Sequence, residues 1–567
     1  MEAPALIEGG PGAGAGDWRS EAIGRLCEVL SHRDLTQLLG SLLDSARATL
    51  RQRKGHDTSG SKADLARALL LIHHEDLLAD ADTRDLVARR CGVRAPSRWH
   101  PGKAGALDFA RACGLPVMLA GIPANERQRD IEHIEAPVRL PPLANFQEEV
   151  STALLAEIAQ PRGRAIVSLP TGAGKTRTAV ESIHRLLVRP GLDSRPRPYV
   201  IVWLAHTEEL CEQALACFRQ VWAGIGDGPP LALVRFWGNY TRGEELLRES
   251  LGHATRDFCV LVSTPQRLVN VLDSADPLQQ EWRATLMTRA GLVVIDEAHR
   301  AAAPTYRQII DAFGTATHAA IIGLTATPFR REYVDQHEGT RELRALFRRL
   351  IEARRTLGDE PLAALQTRGV LARPVVKEIV TRQRVRLQLT LFDAAPSDER
   401  LDEEINQLVD THARRREILK ALLVESQFRP DMRMVYFAPS VHDARCMAYL
   451  LQESGVSASV VTGETRVVTR RRVIEDFRRG RVRVLCNCEV LTTGFDDPQV
   501  THVVMSRTTV SQVLYEQMVG RGLRGPAFGG TDACVVMDCI DEYETGPRLS
   551  LGYTGFREVW RPRRARP

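Results

Sequence analysis

The sequence predicts an α/β protein with two parallel sheets in tandem and an N-terminal helical accessory domain. Two observations carry that prediction. From about residue 140 onward, short β-rich runs alternate with helical stretches, the pattern of parallel-sheet units joined by crossover helices. The runs also fall into two sets: AIVSL, YVIVWLA, LALVRFW, FCVLVST, LVVID and AAIIGLTAT, then MVYFA, ASVVT, RVLCNC, THVVMS and ACVVMD. A long, arginine-rich, partly helical stretch separates the sets. With 567 residues the chain is too long for one hydrophobic core, and about three to four domains are expected.

Taken in order, the opening MEAPALIEGGPGAGAGDW has neither the basic nor the apolar segment of a signal peptide and is expected to be a flexible leader over 1–17. From Trp18 to about Arg90 apolar residues recur at helical spacing (Leu35, Leu38, Leu39, Leu42, Leu43, then Leu65, Ala68, Leu69, Ile72), and a further helix is expected over Ala104 to Cys113. His73, His74 and Glu75 stand together, but with no spaced partner they make no metal site. Hydrophobic residues at 44% and charged residues at 26% describe a globular chain. A net charge of +5 excludes a wholesale polycation and leaves only local basic patches to bind phosphate. Eleven cysteines with no CxxC pair fit free thiols in a reducing cytoplasm, and Cys486 and Cys488 read as core positions of a strand. No run reaches the roughly 18 apolar residues that span a bilayer.

The chemistry begins where the strand AIVSL runs into Pro170-Thr171-Gly172-Ala173-Gly174-Lys175-Thr176, followed by a helical pattern to about Leu187. Strand, glycine-rich turn and helix is the context of a phosphate-binding loop: Gly172 and Gly174 let backbone N–H groups approach a triphosphate, and the helix start adds its positive end. Lys175 should reach the β- and γ-phosphates, and the Thr176 hydroxyl should sit on Mg²⁺. The full loop pattern asks for glycine at position 169, where this chain has Leu169. Downstream, LVVI delivers Asp296-Glu297-Ala298-His299 at the carboxyl end of a buried strand, the place where open α/β sheets bind ligands. Asp296 is assigned to the Mg²⁺ shell and Glu297 to positioning and deprotonating an attacking water.

With these in place the chain resembles the superfamily 2 helicases, which relax position 169 and keep TGxGKT, and the resemblance spans about Pro141 to Asp538. It implies two RecA-like domains. Phe146 and Gln147 look like an adenine-stacking aromatic and an adenine-reading glutamine. Ala205-His206-Thr207-Glu208-Glu209-Leu210 and Ser263-Thr264-Pro265-Gln266-Arg267-Leu268 look like segments of the first lobe that grip a nucleic-acid backbone. Leu324-Thr325-Ala326-Thr327-Pro328, together with His299, resembles the coupling of hydrolysis to domain movement. In the second half, Val461-Thr462-Gly463 looks like a strand end facing the nucleic acid. Thr492-Thr493-Gly494-Phe495-Asp496 looks like the segment touching backbone and nucleotide. Gln517-Met518-Val519-Gly520-Arg521-Gly522-Leu523-Arg524 is similar to the motif that supplies arginines. Arg524 is expected to be the finger on the γ-phosphate and Arg521 its partner, in an order that could be exchanged.

Two basic stretches fit a polyanion: Arg466 to Arg483, with eight Arg against two acids, and Arg557 to Arg566, with five Arg against one. The expected organisation is leader 1–17, helical accessory domain 18–138, ATP-binding domain 139–370, second motor domain 371–540 and basic tail 541–567, too short for a nuclease domain. ATP and Mg²⁺ are the expected ligands. TATPFR and QMVGRGLRG resemble DNA helicases of excision repair and restriction motors more than RNA remodellers, which favours DNA. An RNA helicase, or a nucleotide switch whose helical domain recruits a protein partner, stays open.

Overall fold

Apolar stripes interrupted by capping residues fix the N-terminal helices: α1 (Trp18–Val29), α2 (His32–Leu39), α3 (Ser41–Leu50), α4 (Lys62–His73), α5 (Ala81–Cys91) and α6 (Ala104–Ala112). Ser31 and Ser61 each open a helix with a reciprocal capping box, to Asp34 and Asp64, satisfying amides that the helix itself cannot. In this computed structural model the described residues are 18–50, 60–121, 131–133, 140–188, 199–225, 229–238, 258–326, 337–386, 398–492, 494–509 and 511–545. The leader, the Arg557–Arg566 tail, Thr327 and Thr493 lie outside them.

The first sheet has eight strands, β1 (Ile131–His133), β2 (Arg164–Ser168), β3 (Tyr199–Leu204), β4 (Leu231–Phe236), β5 (Phe258–Ser263), β6 (Ala290–Asp296), β7 (Ala320–Thr325) and β8 (Arg349–Ile351), in the order β1-β4-β5-β3-β6-β7-β2-β8. All neighbours are parallel except β1, which runs antiparallel to β4 at the edge. Residues 131–133, counted with the helical region on sequence, thus extend the first sheet at the end beside β4. Strands β3, β4, β5 and β7 are buried along their whole length, as a sheet covered on both faces requires. Its covering helices are α7 (Asn145–Ile158), α8 (Lys175–Leu187), α9 (Glu208–Ile225), α10 (Pro265–Leu272), α11 (Pro277–Arg289), α12 (Pro304–Ala316) and α13 (His337–Leu346). Two short helices, α14 (Arg354–Leu357) and α15 (Pro361–Thr367), lead out of the lobe.

The second sheet is wholly parallel, in the order β11-β12-β10-β13-β14-β9, from β9 (Arg373–Arg386), β10 (Met434–Phe437), β11 (Ala458–Val461), β12 (Val484–Asn487), β13 (His502–Met505) and β14 (Ala533–Thr545). Its helices are α16 (Asp398–Val409), α17 (His412–Phe428), α18 (Val441–Glu453), α19 (Val467–Arg478) and α20 (Gln512–Val519). Although the accessory helices precede the first lobe in sequence, they pack on the second. One buried cluster joins Leu26, Leu65 and Leu69 to Leu422, Cys446 and Leu450. Polar contacts lock the joint: the ring Nε2 of His74 meets Val460 O at 3.0 Å and that of His442 meets Ser45 Oγ at 2.9 Å. His74 is thereby a buried structural residue.

A buried polar network ties the second lobe together. Arg414 donates to both oxygens of Asp541 (2.9 and 3.1 Å), to Ser506 Oγ (2.9 Å) and to Ser506 O (2.8 Å). Arg415 pairs with Asp443 at 2.7 Å, and Tyr436 donates its hydroxyl to the same carboxylate at 2.6 Å. Removing one partner of such a pair strands a buried charge. Arg414→Ala is therefore expected to destabilise the second lobe by about 3–5 kcal/mol, measured as a shift in its denaturant midpoint; an unchanged midpoint would contradict this.

Candidate nucleotide site and nucleic-acid face

Strand β2 lies between β7 and the short edge strand β8, so its carboxyl end is separated from that of β6 by β7 alone. The loop that follows turns through Gly172 (φ +87°) and Gly174 (φ +81°), backbone conformations costly for side chains with a Cβ. Gly174 caps α8 with no side-chain hydrogen bond, which leaves the first amides of the helix pointing at a site for an anion. Lys175 is the first residue of that helix. Gln147 braces the loop from α7: its Nε2 donates to Ala173 O at 3.0 Å, and its Oε1 accepts from Ala144 N at 3.0 Å. Phe146 corrects an expectation. It is 1% exposed within the first lobe's core, because α7 turns its apolar face inward, and its ring has no free face for a base.

The acidic pair stands at the end of β6, beside β3 and β7. Burial, with Glu297 next to it, pushes the Asp296 carboxyl well above its ordinary range. The Glu297 amide donates to Asp296 Oδ1 at 3.0 Å. Burial also pushes Glu297 upward, but Lys175, His299 and Arg521 outweigh it and hold the carboxylate below its ordinary value. Glu297 has φ +51°, a strained conformation for a non-glycine residue and one that concentrates at functional sites. His299 Nδ1 lies 3.4 Å from Glu297 Oε2 and 3.4 Å from Thr325 Oγ1, so one imidazole touches the acidic element and the end of β7. Burial lowers the Lys175 pKa, and Glu297 and Asp296 are the charges that oppose this most.

The second lobe closes on this group. Gly520 presses on the loop so closely that a Cβ there would lie 2.4 Å from Thr171 Cγ2. Arg521, held by Gln517 O (3.1 Å) and Phe495 O (2.5 Å), is half-buried and faces Glu297, the charge that most offsets its desolvation. Arg524 forms a two-point ion pair with Asp496 (2.9 and 2.5 Å) and donates across the cleft to Gly172 O at 2.5 Å. The structure thus brings together Thr171, Gly172, Ala173, Gly174, Lys175, Asp296, Glu297, Arg521 and Arg524, with Asp496 and the buried Gln517 behind the arginines. Thr176 follows Lys175 on α8. Sequence reasoning missed Phe528, a second-lobe aromatic whose ring lies 6.0 Å from the Arg524 guanidinium and borders Gly174; its only signal was its place after Gly525-Pro526.

The residues expected on the nucleic-acid face divide into two groups. Thr207 lies at the start of α9, where its Oγ1 accepts from Leu210 N at 3.3 Å. Thr264 caps α10 and Pro265 begins it, and the Arg267 guanidinium lies 4.8 Å from the Phe236 ring centroid. His206 has a buried Nδ1 with no hydrogen-bond partner among the described residues. By contrast, the hydroxyls of Thr462 and Thr492 are buried in their own turns, the first accepting from Glu464 N and the second donating to Glu489 O. Gly494 abuts α9.

The arginine stretch 466–483 is not an open comb for phosphates, which corrects the sequence reading. Arg466 pairs with Asp76 at 2.6 Å, Arg470 with Glu209, Arg471 with Glu212 at 2.7 Å and Arg472 with Glu75 at 3.7 Å. Arg479 and Arg481 pair with Glu475 and Asp476, and Arg478 and Arg483 donate to backbone carbonyls. The acids that meet the first four come from distant segments, invisible to a local count of charge.

The contact between Gly520 and Thr171 has a measurable consequence. Gly520→Ala should leave triphosphate binding to the first lobe intact and lower its hydrolysis at least about tenfold, since overpacking would hold the lobes apart. Paired binding and turnover assays decide it, and wild-type turnover would refute the closure argument.

Comparison with known proteins agrees with this architecture. Residues 141–330 match the family described as "Type III restriction enzyme, res subunit", and residues 414–525 match "Helicase conserved C-terminal domain". The helicase-like protein IRC3 of Saccharomyces cerevisiae is 26% identical over 74% of this chain and 54% of its own length. The type I restriction enzyme EcoKI endonuclease subunit of Escherichia coli is 24% identical over 71% of this chain and 35% of its own. The DNA 3'-5' helicase XPB of Mycobacterium tuberculosis is 28% identical over 48% of this chain and 45% of its own. The chain spans about half the length of the curated relatives it matches first, 54% and 58%. The two family matches fall in order, one on each parallel-sheet lobe, and the chain belongs to the superfamily 2 helicases.

Proposed function

We infer that this protein hydrolyses ATP and uses the cycle to move on nucleic acid, with DNA as its track. The observation that carries the reading is the meeting of Arg521 and Arg524 from one lobe with Lys175, Asp296 and Glu297 from the other. Three cations converge on an acidic pair and a glycine-rich loop, an arrangement suited to a polyphosphate whose charge grows during transfer. Lys175 and the loop amides bind the β- and γ-phosphates. Glu297, kept ionised by Lys175, His299 and Arg521, orients a water and takes its proton. Arg521 and Arg524 stabilise the charge on the departing phosphoryl group, and they reach it only when the lobes close.

The residues also suit Mg²⁺. Asp296 is a buried carboxylate raised by desolvation, and with the Thr176 hydroxyl it supplies the hard oxygen donors this cation prefers. When bound, Mg²⁺ neutralises charge on the β- and γ-oxygens. Nucleic acid would lie across His206, Thr207, Thr264, Pro265 and Arg267 on one lobe and the turns at Thr462 and Thr492 on the other, contacted there through backbone groups. His299, Thr325 and Thr327 would carry the state of the nucleotide to that face. All eleven cysteines are free thiols, in keeping with a cytoplasmic location, and the accessory domain is a candidate surface for a protein partner.

DNA is favoured by the restriction endonuclease subunit and the DNA 3'-5' helicase XPB among the relatives. RNA is the second reading, since ATP-dependent RNA helicases at 22–24% identity are also among them. ATP hydrolysis measured beside single-stranded DNA, duplex DNA and RNA decides between these tracks, and hydrolysis indifferent to all three would sink the motor reading. Arg524→Ala should keep ATP binding and lose about 10³-fold or more in turnover; turnover near wild type would remove Arg524 from the machinery.

A further inference from the structure

The two lobes meet a second time, away from the nucleotide, between α9 and α19. Arg470 of α19 pairs with Glu209 of α9, and its Nη2 donates to Thr465 O at 3.0 Å and Thr462 O at 3.3 Å. One guanidinium therefore joins the second-lobe turn that follows β11 to the first-lobe helix that begins beside Thr207. Arg471 pairs with Glu212 at 2.7 Å, and Glu212 is backed at 3.4 Å by Arg235, which is wholly buried in β4. The Arg470 and Glu209 side chains are only 11% and 21% exposed, so water screens this pair less than an ordinary surface pair. The main chain closes tightly as well: a Cβ on Gly494 would lie 2.8 Å from Glu209 Cβ.

Helix α19 is also fastened on the accessory side. Asp76 accepts from Arg466 and from Thr469 Oγ1, each at 2.6 Å. With α19 fixed to its own lobe from the N-terminal domain, movement between the lobes falls on the α9 contacts.

We propose that the Arg470–Glu209 and Arg471–Glu212 pairs are a clasp that forms on closure and sets the spacing between the two nucleic-acid grips. Arg470 is its positioning residue, acting through Glu209 and the Thr462–Thr465 turn. The proposal rests on the motor reading for its consequence, but the clasp itself is a property of the lobes. It links the grips to the nucleotide site: closure that brings Arg521 and Arg524 to Lys175 also joins α9 to α19, and opening releases both.

Charge exchange in the full-length protein tests this. Glu209→Arg and Arg470→Glu, each alone, should raise the concentration of a single-stranded oligodeoxynucleotide that half-stimulates ATP hydrolysis by about tenfold or more. Each should also lower the ATP-dependent energy transfer between fluorophores on the exposed faces of α11 and α17. The double exchange should restore both readings to within about twofold of wild type. Should a reversal fail to fold, Glu209→Gln with Glu212→Gln keeps the shapes and removes the attraction, and the same losses are expected. Single variants that behave as wild type, or a double exchange as impaired as the worse single, would overturn the clasp. If the wild-type enzyme ignores every nucleic acid, the motor reading fails while the energy-transfer arm still decides the clasp.

Discussion

The constraint on which this molecule turns is the packing of like charge in the cleft. Lys175, Arg521 and Arg524 share one partly buried space, where Asp296, Glu297 and the Arg524 partner Asp496 are the acids that face them among the described residues. Desolvation opposes the charge on Lys175 and Arg521, and repulsion from Arg524 adds to that. A group carrying several negative charges relieves both at once. The two glycine-permitted approaches, at Gly172–Gly174 and at Gly520, bring backbone donors and the opposite lobe near enough to share that group. Both approaches converge on the same group of charges, one from each lobe.

Much of this was legible in the residues because the chemistry is local. A phosphate loop needs its strand, glycines, lysine and helix in one short run, and Asp296-Glu297 needs only an apolar strand to deliver it. The two sets of β runs announced two sheets for the same reason: a parallel strand covered on both faces must be apolar throughout. What stayed hidden was set by contacts across the chain. Phe146 and Gln147 look alike in sequence as candidates for a base, yet helix α7 turns one into the core and the other onto the Ala173 carbonyl. The arginines of α19 read as a patch until Glu75, Asp76, Glu209 and Glu212 arrive from elsewhere to neutralise them.

The same distinction applies to the N-terminal helices. Their periodicity and caps foretold helices, but nothing local told which lobe they would cover. The second lobe offers α17 and α18 as an apolar surface, and the shared core from Leu26 to Leu450 makes the helical region part of that lobe. The buried Arg414 network reinforces the same body, since Arg414 stands on α17 itself and its neighbour Arg415 pairs with Asp443 of α18.

That arrangement has a consequence for how the chain is made. The helical region leaves the ribosome before either lobe, while the second-lobe residues that share its core begin at Ile379, roughly 260 residues after Ala120. At about 5–20 residues per second, the apolar face of the newborn helices must wait on the order of tens of seconds, through synthesis of the entire first lobe, before its partner exists. Vectorial synthesis therefore leaves a segment made before both lobes among the last to be sheltered.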